Sequence, residues 1–165
     1  MSGRMRTVYL ETTIVSYYVA RPSRDLIIAA KQQLTREWWE GNHKGDRLVV
    51  SPVVLDEARE GDAEAAARRA QMLAGLEVLP VSAEVDPLAV ELGRAIRLPA
   101  TKSADAFHLA YAIVYKVDCL LTWNCAHFVN ALTRRRLYDY CRRNDLWLPV
   151  VCTPEEMIGG KWRLE

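Results

Sequence analysis

The sequence lacks most of the features that settle a class outright. No apolar run reaches the 18 or so residues needed to cross a bilayer, so no membrane association is expected. Eight glycines and seven prolines in 165 residues exclude collagen-like and low-complexity chains. The four cysteines, Cys119, Cys125, Cys141 and Cys152, show no CxxC spacing and lie among apolar or helical residues. A reduced, cytoplasmic protein is the simplest expectation. The N-terminus, Met1 to Leu10, is polar and basic and then enters a short β-rich run, without the apolar centre of a signal peptide. No GxxxxGK or GxGxxG loop is present to cradle phosphates, and no Ser/His/Asp or Cys/His arrangement points to a covalent nucleophile. Excess charge is missing too: 22 Lys+Arg against 21 Asp+Glu leave +1, too little to hold nucleic acid by bulk attraction.

What remains is a chain half hydrophobic, able to bury one core. Residues 1–158 read as one domain and 159–165 as a loose C-terminal tail. Five short β-rich runs begin at Thr7, Arg47, Leu76, Asp118 and Leu148, and helical patterns separate them. Between Arg24 and Glu40, Ile27, Ala30, Leu34 and Trp38 recur at helical spacing, with Ser23 as the expected cap. Ser51-Pro52 opens a helix carrying Asp56, Glu57 and Glu60, and Asp62 caps an Ala-rich one. A helix over 82–98, another around Asp105 and a long one from Asn124 to about Arg143 follow. Thr153-Pro154-Glu155-Glu156 starts the last. Strands alternating with crossover helices predict a three-layer α/β/α fold around a mostly parallel five-stranded sheet.

In such a sheet, ligands bind beyond the carboxyl ends of the strands. The residues at those ends are Glu11, Ser51, Ser82, Asn124 and Thr153, and Glu11 is the only acid among them. Glu57 and Asp105, early in their helices, aim at the same edge. Converging carboxylates repel unless a cation lies between them, and all-oxygen ligation suits Mg²⁺ or Mn²⁺. A metal held this way supports hydrolysis of a phosphodiester.

Bland readings stand beside these. Glu11 could be a surface residue or a partner for Arg6, and Glu57 could belong to a solvated acidic helix face with Asp56 and Glu60. A His on an apolar face, as His108 is, reads as a hydrogen-bonded core residue. Cys125 with His127, lacking a second pair, makes a poor zinc site. Thr12, Thr13 and Ser16 either hydrogen-bond the Glu11 carboxylate or metal waters, or cap the following helix. Trp38-Trp39 and Phe107/Tyr111 are expected in the core or a dimer interface. Five arginines and one aspartate between Arg134 and Arg143 form either a solvated face or a phosphate-contacting one. Tyr138 and Tyr140 either stack on bases or pack inward.

Four segments carry a family resemblance: Val-Tyr-Leu-Glu-Thr-Thr-Ile-Val-Ser-Tyr from Val8, Ser-Pro-Val-Val-Leu-Asp-Glu from Ser51, Ala-Asp-Ala-Phe-His-Leu-Ala from Ala104, and Leu-Leu-Thr-Trp-Asn from Leu120. They resemble, in order, the signature blocks of the PIN domain, and the nearest group looks like the VapC-type toxins of bacterial toxin–antitoxin pairs. The resemblance implies a metal-dependent ribonuclease: Glu11, Glu57 and Asp105 as Mg²⁺ or Mn²⁺ ligands, Asn124 orienting the metal or water, and Thr12, Thr13, Ser16 and His127 in support. It implies an RNA substrate, to which Arg134, Arg135 and Arg136 contribute, a cognate antitoxin and a homodimer. Two positions depart from the pattern. Glu11 stands where Asp is usual, moving the carboxylate by roughly 1.5 Å. Asn124 and His127 stand where an Asp is frequent, and the Asn amide offers oxygen without charge. These departures keep a weakened RNA- or protein-binding module as the alternative. A phosphotransfer receiver also places an acid after its first strand, but its additional acid pair and late lysine are absent.

Overall fold

A computed structural model describes residues 4–42 and 44–159. Its centre is a five-stranded, all-parallel sheet of β1 (Thr7–Leu10), β2 (Arg47–Val50), β3 (Glu77–Val78), β4 (Cys119–Leu121) and β5 (Val150–Cys152), ordered β3-β2-β1-β4-β5. Central β1 is covered on both faces: Val8, Tyr9 and Leu10 are fully buried, as the aliphatic run requires. Two helix groups flank it. α1 (Thr12–Val19), α2 (Leu26–Glu37), α4 (Ala63–Leu73) and α8 (Pro154–Gly159) pack together, while α3 (Pro52–Glu57), α5 (Val85–Ala95), α6 (Ser103–Val114) and α7 (Ala131–Arg143) form the other group. The fold class expected from the sequence is the one observed. Only Gly159 of the expected 159–165 tail is described, as the last residue of α8; 160–165 lie outside the described residues.

Several local expectations change. The cap of α2 is Asp25, whose carboxylate accepts the N–H groups of Ile27 and Ile28 at 2.9 and 3.1 Å, while Ser23 Oγ accepts from Asp25 N. Ile27 was expected on the core face but is 71% exposed, and Leu26 is 85% exposed. The buried residues of α2 are the polar Gln32 and Thr35. Gln32 bridges Ser23 N and Arg21 O at 3.0 Å each, and Thr35 Oγ1 accepts the indole N–H of Trp123 at 2.7 Å. Periodicity shows which residues share a face; the neighbours decide which face is covered, and a polar face with partners can be the one. β3 keeps only two residues of its longer apolar run, and the helix expected over 82–98 contracts to 85–95.

The long helix after Asn124 is broken. A wide π-helical turn, Cys125–Val129, is followed by extended Asn130, whose side chain caps α7 by accepting Thr133 N at 2.9 Å. Thr153 caps α8 as expected, reciprocally with Glu156: Thr153 N donates to Glu156 Oε2 at 2.8 Å and Glu156 N to Thr153 Oγ1 at 3.3 Å.

The N-terminal edge of the sheet is tied by buried Asp118. Its carboxylate accepts Thr7 N at 2.8 Å and pairs with Arg4, its N–H donates to Thr7 O, and its C=O accepts Val150 N. Asp118→Ala leaves the Thr7 N–H without this acceptor and is expected to cost about 1–3 kcal/mol, read as a lower urea midpoint.

Candidate active site

The strand order reverses between β1 and β4, and the two strands end beside each other there: Glu11 N donates to Leu121 O at 3.0 Å. Glu11 is the N-cap of α1, only 4% exposed. Its Oε2 accepts from Thr13 N at 3.1 Å, from Thr13 Oγ1, and from Thr122 Oγ1 at 2.8 Å. Both hydroxyls are themselves aimed by the end of β4. Trp123 N donates to Thr13 Oγ1 and Asn124 N to Thr122 Oγ1, each at 2.9 Å. A buried carboxylate is tolerable because these donors and the helix N-terminus replace the lost water.

Glu57, at the end of short α3, comes to the same place and stays half-buried. Thr12 Oγ1 donates to its Oε2, and His108 Nε2 lies 3.0 Å from the same atom. The fully buried His108 ring is held at its other nitrogen, where Tyr9 OH lies 2.8 Å from Nδ1; Tyr9 OH is in turn 2.7 Å from Ser51 Oγ. Burial works against a charge on His108, but the Glu57 hydrogen bond and the charges of Glu11, Glu57 and Asp105 outweigh it and hold its pKa above 6.5. Burial also opposes the Glu57 charge, yet His108 and Thr12 bring its pKa below 4.5.

Asp105 lies three residues before His108, in the first turn of α6, and is 8% exposed. Its carboxylate faces the β4 exit. Asn124 Nδ2 is 3.4 Å from both oxygens and His127 Nδ1 is 2.5 Å from Oδ2. Asn124 Oδ1 accepts His127 N at 3.3 Å, so the amide that was expected to turn its oxygen to a metal or water spends it on the π-helical turn and presents N–H to Asp105.

Glu11, Glu57 and His108 each offer a ligand atom, all within 4.8 Å of one another. Two carboxylates at this spacing are oxygen donors that fit Mg²⁺ or Mn²⁺, and the imidazole nitrogen beside them is engaged with Glu57. Asp105 stands apart from this group, engaged with Asn124 and His127, though near enough for its charge to act on His108.

The sequence matches the PIN domain family over residues 8–124. This chain is a PIN domain protein. No curated protein matches it. Among solved structures it is similar to VapBC2 from Rickettsia felis bound to a DNA fragment from its promoter, at 16% identity and a TM-score of 0.56, covering 89% of this chain and 98% of that one. It also resembles VapBC-1 from nontypeable Haemophilus influenzae, at 14% identity and a TM-score of 0.56, covering 90% and 98%. A third is VapC20 of Mycobacterium tuberculosis, a sarcin-ricin loop cleaving toxin, at 16% identity and a TM-score of 0.54, covering 68% and 86%. At these identities what is shared is the fold.

The sequence-derived residues of this PIN domain divide. Glu11, Glu57, Thr12 and Thr13 meet directly; Asp105, Asn124 and His127 form the adjoining group. Ser16 does not join them and lines a separate cavity with Arg21, Asp62 and Arg68. The three arginines expected at the RNA are already engaged, Arg134 with Glu156 and Arg135 with Asp139, both at 3.1 Å, and Arg136 with Ile96 O at 3.4 Å, while Arg142 and Arg143 in the last turn of α7 are exposed. Tyr140 donates to Glu91 at 2.6 Å, its pKa pushed up to about 12 by burial and that bond, while Tyr138 stays exposed. His108 was expected as a bonded core residue and is one, but its partner makes it part of the site. Tyr9 was missed, and Ser51, placed at a strand exit by the sequence, was given no role. The readable signals were His108 three residues after Asp105 on one helix face, and the only aromatic in β1 two residues before Glu11.

The pair's pKa directions set a stability window. The His108 contribution is complete below 6.5 and is lost as pH rises through its elevated pKa; that of Glu57 is complete above 4.5 and is lost as pH falls through its lowered one. Metal-free protein is therefore expected to melt highest between these values, with His108→Gln flattening the alkaline decline in calorimetric Tm.

Proposed function

We propose that this PIN domain protein is a Mg²⁺- or Mn²⁺-dependent endoribonuclease and the toxin of a toxin–antitoxin pair. The observation that carries the reading is the convergence of Glu11 and Glu57 at the β1/β4 exit, with Asp105 on the neighbouring helix turn. Glu11 and Glu57 would hold the ion, and Asp105 would complete the acidic set from α6. The bound metal would supply charge stabilisation at the phosphorus and an activated water.

The chain's own residues prepare for that. Thr13 and Thr122 fix Glu11, Thr12 and His108 fix Glu57, and Asn124 with His127 fixes Asp105. The RNA substrate would approach the half-open side where Glu57 meets solvent. Arg134, Arg135 and Arg136 would contribute there only by exchanging their present partners for phosphate. A cognate antitoxin, a homodimer and a cytoplasmic setting belong to the same reading. Exposed Leu26 and Ile27 are apolar surface of the kind protein partners cover, and no helix among the described residues is long and apolar enough to cross a membrane.

The amide of Asn124, where a carboxylate would add charge, supports a second reading as a weakened RNA- or protein-binding module. Cleavage decides between them. Asp105→Asn and Glu57→Gln are each expected to reduce Mn²⁺-stimulated cleavage of single-stranded RNA at least ~100-fold, with Tm nearly unchanged for Asp105→Asn. Cleavage equal to that of the parent protein would overturn the assignment, and absence of cleavage in the parent protein would favour the binding module.

A further inference from the structure

His108 has no exposure, and both of its ring nitrogens have partners. A buried imidazole is tolerated only when so satisfied. The direction of the bond to Glu57 is set by chemistry, because a carboxylate only accepts, so Nε2 carries the hydrogen. If Nδ1 is bare, Tyr9 OH donates to it and Ser51 Oγ donates to Tyr9; if Nδ1 is protonated, it donates to Tyr9, whose hydroxyl turns to Ser51. In either arrangement Nε2–H points at Glu57. The four groups come from β1, the β2 exit, α3 and α6, so the line crosses the core beneath the site.

We propose that His108 is the positioning residue for the Glu57 carboxylate, acting through a buried Ser51–Tyr9–His108–Glu57 relay and not as a metal ligand itself. The inference rests on the metal-dependent reading of the same site. Its geometric basis is that Nε2, the only ring nitrogen facing the carboxylates, is already committed to Glu57 Oε2 at 3.0 Å, while Nδ1 faces away into the core. Thr12 Oγ1 holds the same oxygen of Glu57, so Oε2 is the anchored atom. The other carboxylate oxygen, Oε1, is the one left to meet a cation. Such a residue orients a ligand without touching the metal.

The experiment is Mn²⁺ titration by calorimetry of the full chain and its His108→Leu, His108→Gln and Tyr9→Phe variants, each checked for folding by circular dichroism. Gln places an amide N–H near the former Nε2 position and Leu cannot donate. His108→Leu is expected to weaken Mn²⁺ about 10–100-fold, His108→Gln to stay within about threefold of the parent, and Tyr9→Phe to fall between. The Tyr9→Phe/His108→Leu double variant should be no weaker than His108→Leu, because Tyr9 acts through the ring. If His108→Leu does not fold, His108→Gln and Tyr9→Phe carry the comparison. Pulsed electron paramagnetic resonance of the Mn²⁺-loaded parent should show no directly coordinated ring nitrogen, and a strong ¹⁴N coupling would overturn the relay in favour of ligation. Parent binding that His108→Leu matches also overturns the relay alone. A parent protein that binds no Mn²⁺ overturns the underlying metal reading instead.

Discussion

Negative charge gathered at one point of the sheet is the constraint around which the carboxyl edge of its strands is organised. Glu11 and Glu57 bring ligand oxygens within 4.8 Å of each other and of His108, with the charge of Asp105 nearby. Carboxylates so placed repel, and burial adds desolvation. Each of the three is given its own donors: three contacts from two threonines for Glu11, a threonine and an imidazole for Glu57, an amide and an imidazole for Asp105. The donors come from α1, the β4 exit, α6 and the π-helical turn, so satisfying the charge also locks the relative placement of those elements.

The same constraint explains local features that are odd in isolation. A glutamate is a rare helix cap, yet at Glu11 the longer side chain lets one oxygen collect donors from both α1 and the β4 exit. The chain after β4 forms a wide turn before α7, and that turn delivers His127 to Asp105. A tyrosine in a fully buried central strand would be a liability without partners; here its hydroxyl sits between Ser51 and His108.

The near-neutral total of +1 also takes on a different meaning. A net charge this small gives no bulk attraction to nucleic acid, and the basic charge of α7 is divided: Arg134 and Arg135 pair with Glu156 and Asp139, while Arg142 and Arg143 are exposed in its last turn.

Strand–helix alternation, caps such as Asp62 and Thr153, and the parallel sheet were legible because they depend on local propensity and on residues within a turn of one another. Glu11 and Asp105 were legible as candidates because Glu11 is the only acid among the strand-exit residues and Asp105 lies among small and apolar neighbours, whereas Glu57 stood out chiefly through the family resemblance and closes α3 where it was expected early in its helix. Other features were not readable. Ile27 obeys the helical period yet faces solvent, while Gln32 and Thr35 are inside, because burial depends on which neighbour covers the helix. Ser51, Tyr9 and His108 are bonded in line although 42 and 99 residues separate Tyr9 from its two partners. By itself the sequence determined which elements form and which residues carry charge. Only the tertiary structure decided that Glu57 pairs with His108, that Asp105 pairs with Asn124 and His127, and that Arg134, Arg135 and Arg136 are taken. Hydrogen bonds and ion pairs are chosen by distance in space, and the crossover connections of a parallel sheet bring together residues whose separation along the chain carries no trace of the meeting.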